Sequence, residues 1–327
     1  MSLPRISVVL PTRNPHPDRL TLVLQGLSRQ TLPTTQWELC MVDNGSTPPL
    51  RAQEYAAPLP MRIALEARPG LLWARLCGIQ HTCGENIVFI DDDTVPADAF
   101  LAAAVAFMDA HPQVGTAGGK ILPRYQATPP PWIDTVAWLL ALRDSGSEPL
   151  EWSVRAGTPL PNWTPIGAGL LVRRTALVPG YLRHVEAHAE QIERISWRSQ
   201  SAGGVEDKEM VLHCLRTGWS TAYVPGMILT HLIPSERLQF SYFAKLMPTV
   251  QRMWIQTLHA HGFDFLPPIH PATLPLRKAK AWFSFQAWRS PAHKLDWLAS
   301  CGCLDGLAAN YIQRIRYAAS DGPLQTP

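Results

Sequence analysis

The sequence predicts an α/β fold, with a mostly parallel sheet flanked by helices and a helical C-terminal extension. Short, continuously apolar runs alternate with apolar residues at helical spacing through the first third of the chain, which is typical of parallel strands covered on both faces. With 327 residues, 46% of them hydrophobic, the chain can form one large domain and a smaller annex. The pattern becomes helical and rich in Trp, Phe and Leu from about residue 240, so we predict domains at 1–240 and 241–327.

Polar residues follow each predicted strand of the first half. The apolar runs at 6–11, 37–42, 61–67 and 86–90 are the predicted strands, and helical spacing follows at 20–27, 71–79 and 96–108. Ligands bind beyond the carboxyl ends of parallel strands, so the polar groups there should share one crevice. These groups are Thr12, Arg13, Asn14, Asp43, Asn44, Glu66, Arg68, Asp91, Asp92 and Asp93.

The second half is less regular but carries four further predicted elements. GAGLLVRR at 167–174 predicts a strand entered through glycines. A helix should begin near Glu206, with one apolar face, and end at Gly218. The runs TAYVPG and MILTH at 221–231 are strand-like.

Composition and motifs exclude several classes of protein. A net charge of +3 without a dense Lys/Arg block argues against nucleic-acid binding. The six cysteines lack metal-ligand or disulfide-framework spacing, and no run of 18 apolar residues occurs. We therefore expect a cytoplasmic protein.

GAGLLV at 167–172 and GTAGGK at 115–120 fail the dinucleotide and P-loop patterns, so a phosphate site would need charge neutralisation by another route, such as a metal ion.

The stretch IDDDTVP at 90–96 places three carboxylates together after an apolar strand. Alternation at a strand end sends Asp91 and Asp93 to one side and Asp92 to the other. Two carboxylates that face one point can chelate a hard cation, which removes their repulsion. The alternative is a solvated turn that caps a helix starting near Pro96, for which Asp93 or Thr94 would suffice.

Seven stretches occur in an order that resembles a known family: ISVVLPTRN, ELCMVDNGS, ARPGLLWAR, IVFIDDDTVP, IGAGLLVRR, GGVEDKEM and GWSTAYVPGMILTHLIPSERL. Together, over about residues 5–240, they resemble the inverting family-2 glycosyltransferases of the GT-A fold. The resemblance implies a nucleotide-diphosphate sugar donor, with UDP as the first candidate for the nucleotide. It also implies a divalent metal, Mn²⁺ or Mg²⁺, held by a DxD motif, and a carboxylate base.

The resemblance assigns donor and metal roles to particular residues. It gives nucleotide-sugar binding to Pro11, Thr12, Arg13, Asn14, Asp43, Arg68, Arg75, Asp91 and Asp92, and the metal to Asp91, Asp93 and His231. Leu76 and Arg68 stand where the family often has Asn. His231 could equally be a strand-end histidine bonded to backbone, and Asp43 also fits an Asx turn in DNGS.

The catalytic base is predicted at the start of the helix near residue 206. Asp207 lies in the first turn, where the positive helix end keeps a carboxylate ionised, as a general base requires. The family resemblance points to Asp207 as the base and Glu206 as its neighbour. Ordinary enrichment of acids at helix N-termini is the alternative. For the acceptor pocket we predict Trp163, Gly167 and Gly169, since aromatic faces and close backbone approach suit sugars.

The expected function is transfer of a single sugar, in polysaccharide or glycoconjugate assembly, to a saccharide or lipid-linked acceptor. QRMW at 251–254 lacks the Q-x-x-R-W spacing of processive members. The alternatives are a non-catalytic nucleotide-sugar-binding protein on this fold and a sugar nucleotidyltransferase. The segment 276–289 mixes basic and aromatic residues, as in a helix at the inner face of a membrane or a helix docked through Trp282 and Phe285. A homodimer is also left open.

Overall fold

The structure is a computed structural model that describes residues 3–51, 55, 59–155, 158–178, 180–196, 203–263 and 266–319. Its first half alternates strands and helices, as the sequence predicts. The elements are β1 (Ile6–Thr12), α1 (Pro17–Ser28), β2 (Trp37–Asp43), β3 (Met61–Leu65), α2 (Leu71–Gln80), β4 (Asn86–Phe89), β5 (Thr94–Pro96), α3 (Phe100–Ala110) and β6 (Val114–Tyr125).

The second half is predominantly helical. Its elements are β7 (Leu150–Trp152), β8 (Leu171–Arg173), α4 (Arg174–Leu177), α5 (Gly180–Arg194), α6 (Glu206–Arg216), β9 (Ser220–Ile233), α7 (Phe240–Ala260), α8 (Leu274–Ser284) and α9 (Pro291–Ala319). Short 3₁₀ helices lie at Thr34–Gln36, Ile133–Leu140, Ser235–Leu238 and Pro271–Thr273.

The strands of the described ranges form one nine-stranded sheet in the order β3-β2-β1-β4-β8-β6-β9-β5, with β7 also paired to β9. β1 runs parallel to β2 and β4, and β2 runs parallel to β3, which confirms the α/β fold and the parallel first half. β8 joins β4 and β6 in the antiparallel sense. β6 and β9 are parallel, while β5 and β7 lie antiparallel to β9.

Strand β1 is buried along its whole length because helices cover both faces of the sheet. Val8 and Leu10 pack in a core layer with residues of α1 and α3. Val9, on the opposite face, packs with residues of α2 and α6. Successive side chains of a strand point to opposite faces, so a continuously apolar run is what a strand between two helical layers requires.

Residues 91–101 differ from the prediction, and the difference concerns the three aspartates, which lie in a turn at 91–94 (the acidic turn). The helix predicted from Pro96 begins at Phe100, because Thr94–Pro96 pair with β9 as strand β5. Thr94 closes a tight turn by donating its backbone N–H to Asp91 O at 3.1 Å. The helix start is capped by Gln30, whose Oε1 accepts from Leu101 N at 2.9 Å. The three aspartates therefore do not cap this helix.

The C-terminal helices pack on one another and on the sheet domain. α7 contacts α9, and α8 contacts α9, while Leu258 of α7 belongs to the core layer under α2 and α6. α7 begins at the predicted boundary near 240, and the division into two domains stays a prediction. Among the described residues, no helix combines the length and apolar character that a membrane span requires.

Candidate active site

A cavity of about 640 Å³ lies beyond the carboxyl ends of β1 and β4. Its walls are completed by the start of α6, the 3₁₀ helix at 133–140 and one face of α7. Most of the residues predicted for the site line it, as the topology of strand ends requires. They are Pro11, Thr12, Arg13, Asn14, Arg75, Asp91, Asp92, Asp93, Gly167, Glu206, Asp207 and His231.

Asp43 and Arg68, both predicted to bind the donor, lie outside this cavity wall. The Asp43 carboxylate is buried and accepts from Ser46 N at 2.8 Å and Leu50 N at 3.0 Å, which is the Asx-turn alternative. Arg68 pairs with Glu66 at 2.7 Å and lies over the ring of Trp73. Nucleoside contact by Asp43 and Arg68 stays a prediction.

The acceptor residues Trp163 and Gly169 also lie outside the cavity wall, whereas Gly167 forms part of it. Gly169 has a φ of 76°, in the left-handed region that glycine tolerates. A Cβ there would lie 2.6 Å from a methyl group of Leu229. Gly169 is therefore explained by backbone packing, and its role toward an acceptor stays a prediction, as does that of Trp163.

The three aspartates differ in their pKa values because their surroundings differ. Burial raises the pKa of Asp91. Burial, followed by the charge of Asp93, raises the pKa of Asp92 to about 6, although Thr12 donates its hydroxyl to that carboxylate. Burial would also raise the pKa of Asp93, but His231 and Arg237 outweigh it and lower that pKa to about 2. Asp93 is the most firmly ionised of the three.

His231 and Asp93 bring a ring nitrogen and a carboxylate oxygen close together on the cavity wall. His231 Nδ1 lies 2.7 Å from Leu140 O, a carbonyl that can only accept, so Nδ1 carries a proton. Nε2 then donates to Asp93 when the ring is charged and has a free lone pair when the ring is neutral. Nε2 faces Asp93 Oδ2 at 3.4 Å. The Arg237 guanidinium lies 3.2 Å from that oxygen and 3.3 Å from Nε2. Arg237 thus supplies a positive charge where a divalent ion would bind, and these oxygen and nitrogen donors fit such an ion.

Asp91, the third predicted metal ligand, has a different neighbour. Its Oδ1 lies 3.9 Å from Arg75 Nη2. The carboxylate is thus in part balanced by Arg75, a guanidinium only 2% exposed. Within the described ranges, Asp91, Asp93 and His231 do not bring three ligand atoms to one point, so joint coordination would require side chains to move.

The two carboxylates at the start of α6 have separate partners. Glu206 is buried and accepts from Arg75 Nη1 at 3.1 Å. Asp207 Oδ2 accepts from Gly167 N at 2.6 Å and its Oδ1 from Lys208 N at 2.8 Å. Asp207 is thereby fixed at the helix N-terminus on the cavity wall, where the helix dipole favours its charge. The geometry distinguishes an ion-paired Glu206 from an Asp207 held by neutral donors.

Gly167 lies between the Arg75 guanidinium, which pairs with Glu206, and the Asp207 carboxylate. A Cβ on Gly167 would lie 2.2 Å from Arg75 Nη2, closer than atoms can approach. Its backbone N–H also holds Asp207. The glycine-led entry to β8 therefore sets the position of the Arg75 guanidinium and of Asp207 together.

Several residues of the cavity wall were missed by the sequence analysis: Trp138, Arg143, Lys208, Arg237 and Tyr242. Burial, followed by the charge of Arg143, lowers the pKa of Lys208 to about 7. The Lys208 amine donates to Thr164 O and Pro165 O at 2.9 and 3.0 Å. Arg237 and Lys208 lie inside the stretches SERL and VEDKEM, so a signal was present. Trp138 and Arg143 lie in an irregular segment that offers none.

Two family models match this chain. The model described as Glycosyl transferase family 2 matches residues 7–159, and the model described as Glycosyl transferase family group 2 matches residues 86–263. The second covers more than half of the chain. Between them, the two matched ranges contain the acidic turn, Asp207 and His231.

Curated relatives are similar over parts of the chain. An N-acetylglucosaminyltransferase of Mesorhizobium japonicum is 25% identical over 242 residues, which are 71% of this chain and 52% of the relative. Glycosyltransferase AglE of Haloferax volcanii is 30% identical over 109 residues, 32% of this chain and 36% of AglE. The chain thus spans about half the length, or less, of these relatives.

Solved structures show the same architecture. The mannosyltransferase PcManGT from Pyrobaculum calidifontis, in complex with GDP-Man and Mn²⁺, superposes with a TM-score of 0.51 at 20% identity, covering 99% of this chain and 82% of that one. GalNAc-T7 with UDP, GalNAc and Mn²⁺ gives a TM-score of 0.51 at 15% identity, covering 99% and 59%. Likeness at this level shows the fold, which is of the GT-A type.

Proposed function

Because the chain belongs to glycosyltransferase family 2, we propose that it transfers a single sugar from a nucleotide-diphosphate sugar to an acceptor hydroxyl, with inversion at the anomeric carbon. The observation that supports this most is the shared cavity. Asp93 and His231 face each other on its wall, and Asp207 lies on the same wall at the start of α6. A cation site for a leaving group and a carboxylate for an incoming hydroxyl are the two parts that such a transfer needs.

The donor would bind along the strand ends, with its nucleoside on the loop after β1. That loop is held in place: Asn14 N donates to Ser46 Oγ at 2.9 Å, and Asn14 Oδ1 accepts from Thr47 N at 2.8 Å. Asn44, which also lines the cavity, is fixed by donating to Arg68 O at 2.7 Å. UDP is our first candidate for the nucleotide, and UDP-GlcNAc the first donor to test.

A divalent metal, Mn²⁺ or Mg²⁺, would be held by Asp93 and His231, with Asp91 as a further candidate. When bound, such an ion neutralises the charge that develops on a departing diphosphate. The mannosyltransferase and GalNAc-T7 structures were both solved with Mn²⁺, which supports this assignment. Asp93 suits it because its carboxylate is buried on the cavity wall and lies 3.2 Å from the Arg237 guanidinium, which favours the ionised form.

Asp207 would act as the general base. The acceptor oxygen forms a bond to the anomeric carbon while the bond from that carbon to the diphosphate oxygen breaks on the opposite side. The hydroxyl proton passes to a carboxylate oxygen of Asp207, which keeps a lone pair beyond its backbone hydrogen bond. Glu206 would position Arg75 rather than take the proton, since its Oε1 already accepts from that guanidinium.

The acceptor would be a saccharide or lipid-linked saccharide, as in polysaccharide or glycoconjugate assembly. Trp138 is 37% exposed and lines the same cavity as Gly167 and Asp207, so it offers an aromatic face to a bound acceptor. We propose this aromatic role for Trp138, and the same role for Trp163 stays a prediction. A ring of this kind buries a sugar face while leaving the hydroxyls free for hydrogen bonds.

The segment 276–289 would contact an anionic membrane surface. Trp282 packs edge-on against Trp297 with centroids 4.8 Å apart, so the segment is docked on α9. Leu276, Phe283 and Trp288 are nevertheless 78%, 68% and 59% exposed. Exposed apolar side chains among basic residues are typical of interfacial helices. A location at the inner face of a membrane and a homodimer stay predictions.

Nucleotide release tests the function. The protein is incubated with UDP-GlcNAc and other nucleotide sugars in Mn²⁺, and free nucleoside diphosphate is measured before and after chelation. We expect release that chelator abolishes and Mn²⁺ restores, with most activity lost in Asp93→Asn. Asp98→Asn is the matched control, because Asp98 forms an exposed ion pair with Arg29 at 3.1 Å, outside the cavity.

The rival functions give different outcomes in the same assay. Donor-dependent thermal stabilisation without nucleotide release would indicate a non-catalytic binding protein. Formation of a nucleotide sugar from sugar phosphate and nucleoside triphosphate would indicate a nucleotidyltransferase. Full release in excess chelator would contradict the metal role of Asp93.

A further inference from the structure

A second group of potential metal ligands, on and around α6, lies outside the cavity wall. Glu209 follows Asp207 by two residues, a rotation of about 200° around the helix axis, so the two carboxylates point in opposite directions. Glu209 meets His184 from α5 and His261 from the residue after α7. Three elements that are distant in sequence thus converge on one buried carboxylate, 2% exposed.

The distances within this group are those of a compact ligand set. His184 Nε2 lies 2.8 Å and His261 Nε2 3.1 Å from the same oxygen, Glu209 Oε1. The three residues offer one ligand atom each within 4.8 Å of one another, and they are the one such trio among the residues that the structure describes. In a tetrahedral zinc site with bonds of 2.0–2.1 Å, ligand atoms are about 3.3 Å apart. The two nitrogen–oxygen distances, 2.8 and 3.1 Å, are within about 0.5 Å of that spacing.

Hydrogen bonding among these side chains leaves polar atoms unsatisfied. Glu209 Oε2 is buried and makes no hydrogen bond of normal geometry within the described part of the chain, although the buried Tyr181 hydroxyl, also unpaired, lies beside the carboxylate. His261 Nδ1 and Nε2 of the adjacent His213 likewise have no partner there. Buried polar atoms are rarely left in this state. A neutral imidazole carries one proton, so two histidines that both donate to Oε1 have none left for the remaining lone pairs.

The surroundings of Glu209 also suit a cation. The carboxylate is 2% exposed, and the ring of His184 lies 5.2 Å from that of His213 and 5.7 Å from that of His261. A buried carboxylate among imidazoles is a setting in which a bound metal ion would supply a compensating positive charge.

We propose that His184, Glu209 and His261 bind one divalent transition-metal ion of the zinc class, at a site separate from the acidic turn. Two imidazoles and one carboxylate are a frequent zinc ligand set, with a fourth position left for water. The ion would tie α5 and the end of α7 to α6, the helix that begins with Glu206 and Asp207. By fixing α6 through Glu209, the ion would hold in position the helix start that carries Glu206 and Asp207.

The test measures metal content and stability in the full chain. Wild-type protein is stripped with chelator, then loaded with Zn²⁺ or with Co²⁺, whose visible absorption reports a four-coordinate site. We expect one equivalent of bound Zn²⁺ and, at about 100 times the Kd, a rise in Tm of about 4 °C. Glu209→Gln and His261→Ala should weaken Zn²⁺ binding by more than the 10–100-fold typical of losing an outer-shell partner.

Two controls separate this site from others. His111 also pairs with a glutamate, Glu151, at 3.3 Å, but on the surface, so His111→Ala should keep the ion. Asp93→Asn should keep it as well, although its transferase activity is lost. If Glu209→Gln fails to fold, His184→Ala provides the test, since His184 is 22% exposed.

Three outcomes would overturn the proposal. In the first, the wild-type protein binds no Zn²⁺ and shows no rise in Tm. In the second, the ligand variants bind Zn²⁺ as tightly as the wild type. In the third, Zn²⁺ is lost in Asp93→Asn and retained in Glu209→Gln. The third outcome would place the ion at the acidic turn. None of these measurements depends on turnover, so the proposed transferase function is tested independently.

Discussion

Replacement of Asp207 by asparagine tests the proposed base most directly, because it removes the basic group and keeps its shape. The carboxylate accepts one backbone N–H at each oxygen, from Gly167 at 2.6 Å and from Lys208 at 2.8 Å. An amide has only one oxygen, so one of these two N–H groups must face an NH₂ group. The substitution therefore carries a structural cost as well as a chemical one.

The two costs can be separated by their size. A lost hydrogen bond at a partly buried donor costs about 1–3 kcal/mol, which for a chain of 327 residues lowers Tm by about 2–4 °C. The protein stays folded at assay temperature. Loss of a general base lowers turnover by about 10²–10⁴-fold, far beyond what that loss of stability explains. Donor affinity should change little.

Glu206→Gln provides the comparison, because it perturbs the neighbouring residue through a different interaction. It removes the charge that faces Arg75, a guanidinium only 2% exposed, and breaking a buried ion pair costs about 3–5 kcal/mol. We expect Glu206→Gln to lose more Tm than Asp207→Asn but less turnover, a crossed ranking. Nucleoside diphosphate release and thermal unfolding measure both. Normal turnover in Asp207→Asn, with an inactive but folded Glu206→Gln, would refute the assignment.

Three further predictions concern other parts of the molecule. Gly167→Ala should abolish nucleotide release at moderate cost in Tm, because its Cβ would lie 2.2 Å from Arg75 Nη2; release within tenfold of wild type would contradict this. The double variant Phe283→Ser/Trp288→Ser should co-sediment less with anionic vesicles at low salt, while its turnover with a soluble acceptor stays intact. Unchanged vesicle binding would contradict the proposed membrane contact of segment 276–289. Burial would raise the pKa of Glu38, but hydrogen bonds from backbone and serine donors outweigh it. The lowered pKa of Glu38 stabilises the folded protein above pH 4.5, and this stability is lost as pH falls further. Glu38→Gln should therefore flatten the decline in Tm below pH 4.5. An unchanged decline would contradict this.

The sequence predicts those features of the structure that depend on neighbouring residues, and it misses those that depend on contacts between distant parts of the chain. β1, β2 and β4 were predicted because burial between two helical layers leaves a continuous apolar run. The acidic turn was predicted because it directly follows such a strand. β5 was missed, since three residues carry no periodicity and their pairing with β9 is set by tertiary structure.

Other features of the site depend on contacts that no local pattern records. Trp138 enters the cavity from a 3₁₀ helix within an irregular, proline-rich part of the sequence. The convergence of His184, Glu209 and His261 requires three helices to pack in one arrangement. Residue spacing along the chain carries no information about such a meeting point, so only the folded structure shows it.

The guanidinium of Arg237 gives the resting cavity an internal counter-ion. Because it already offsets the charge of Asp93, a divalent ion arriving alone gains only the difference between its own attraction and that of the group it displaces. If the cavity binds donor and metal as proposed, the diphosphate of a nucleotide sugar would offer the released arginine a new anionic partner. Metal and donor would then assist one another's entry, and the site would not need to hold a divalent ion in the absence of donor.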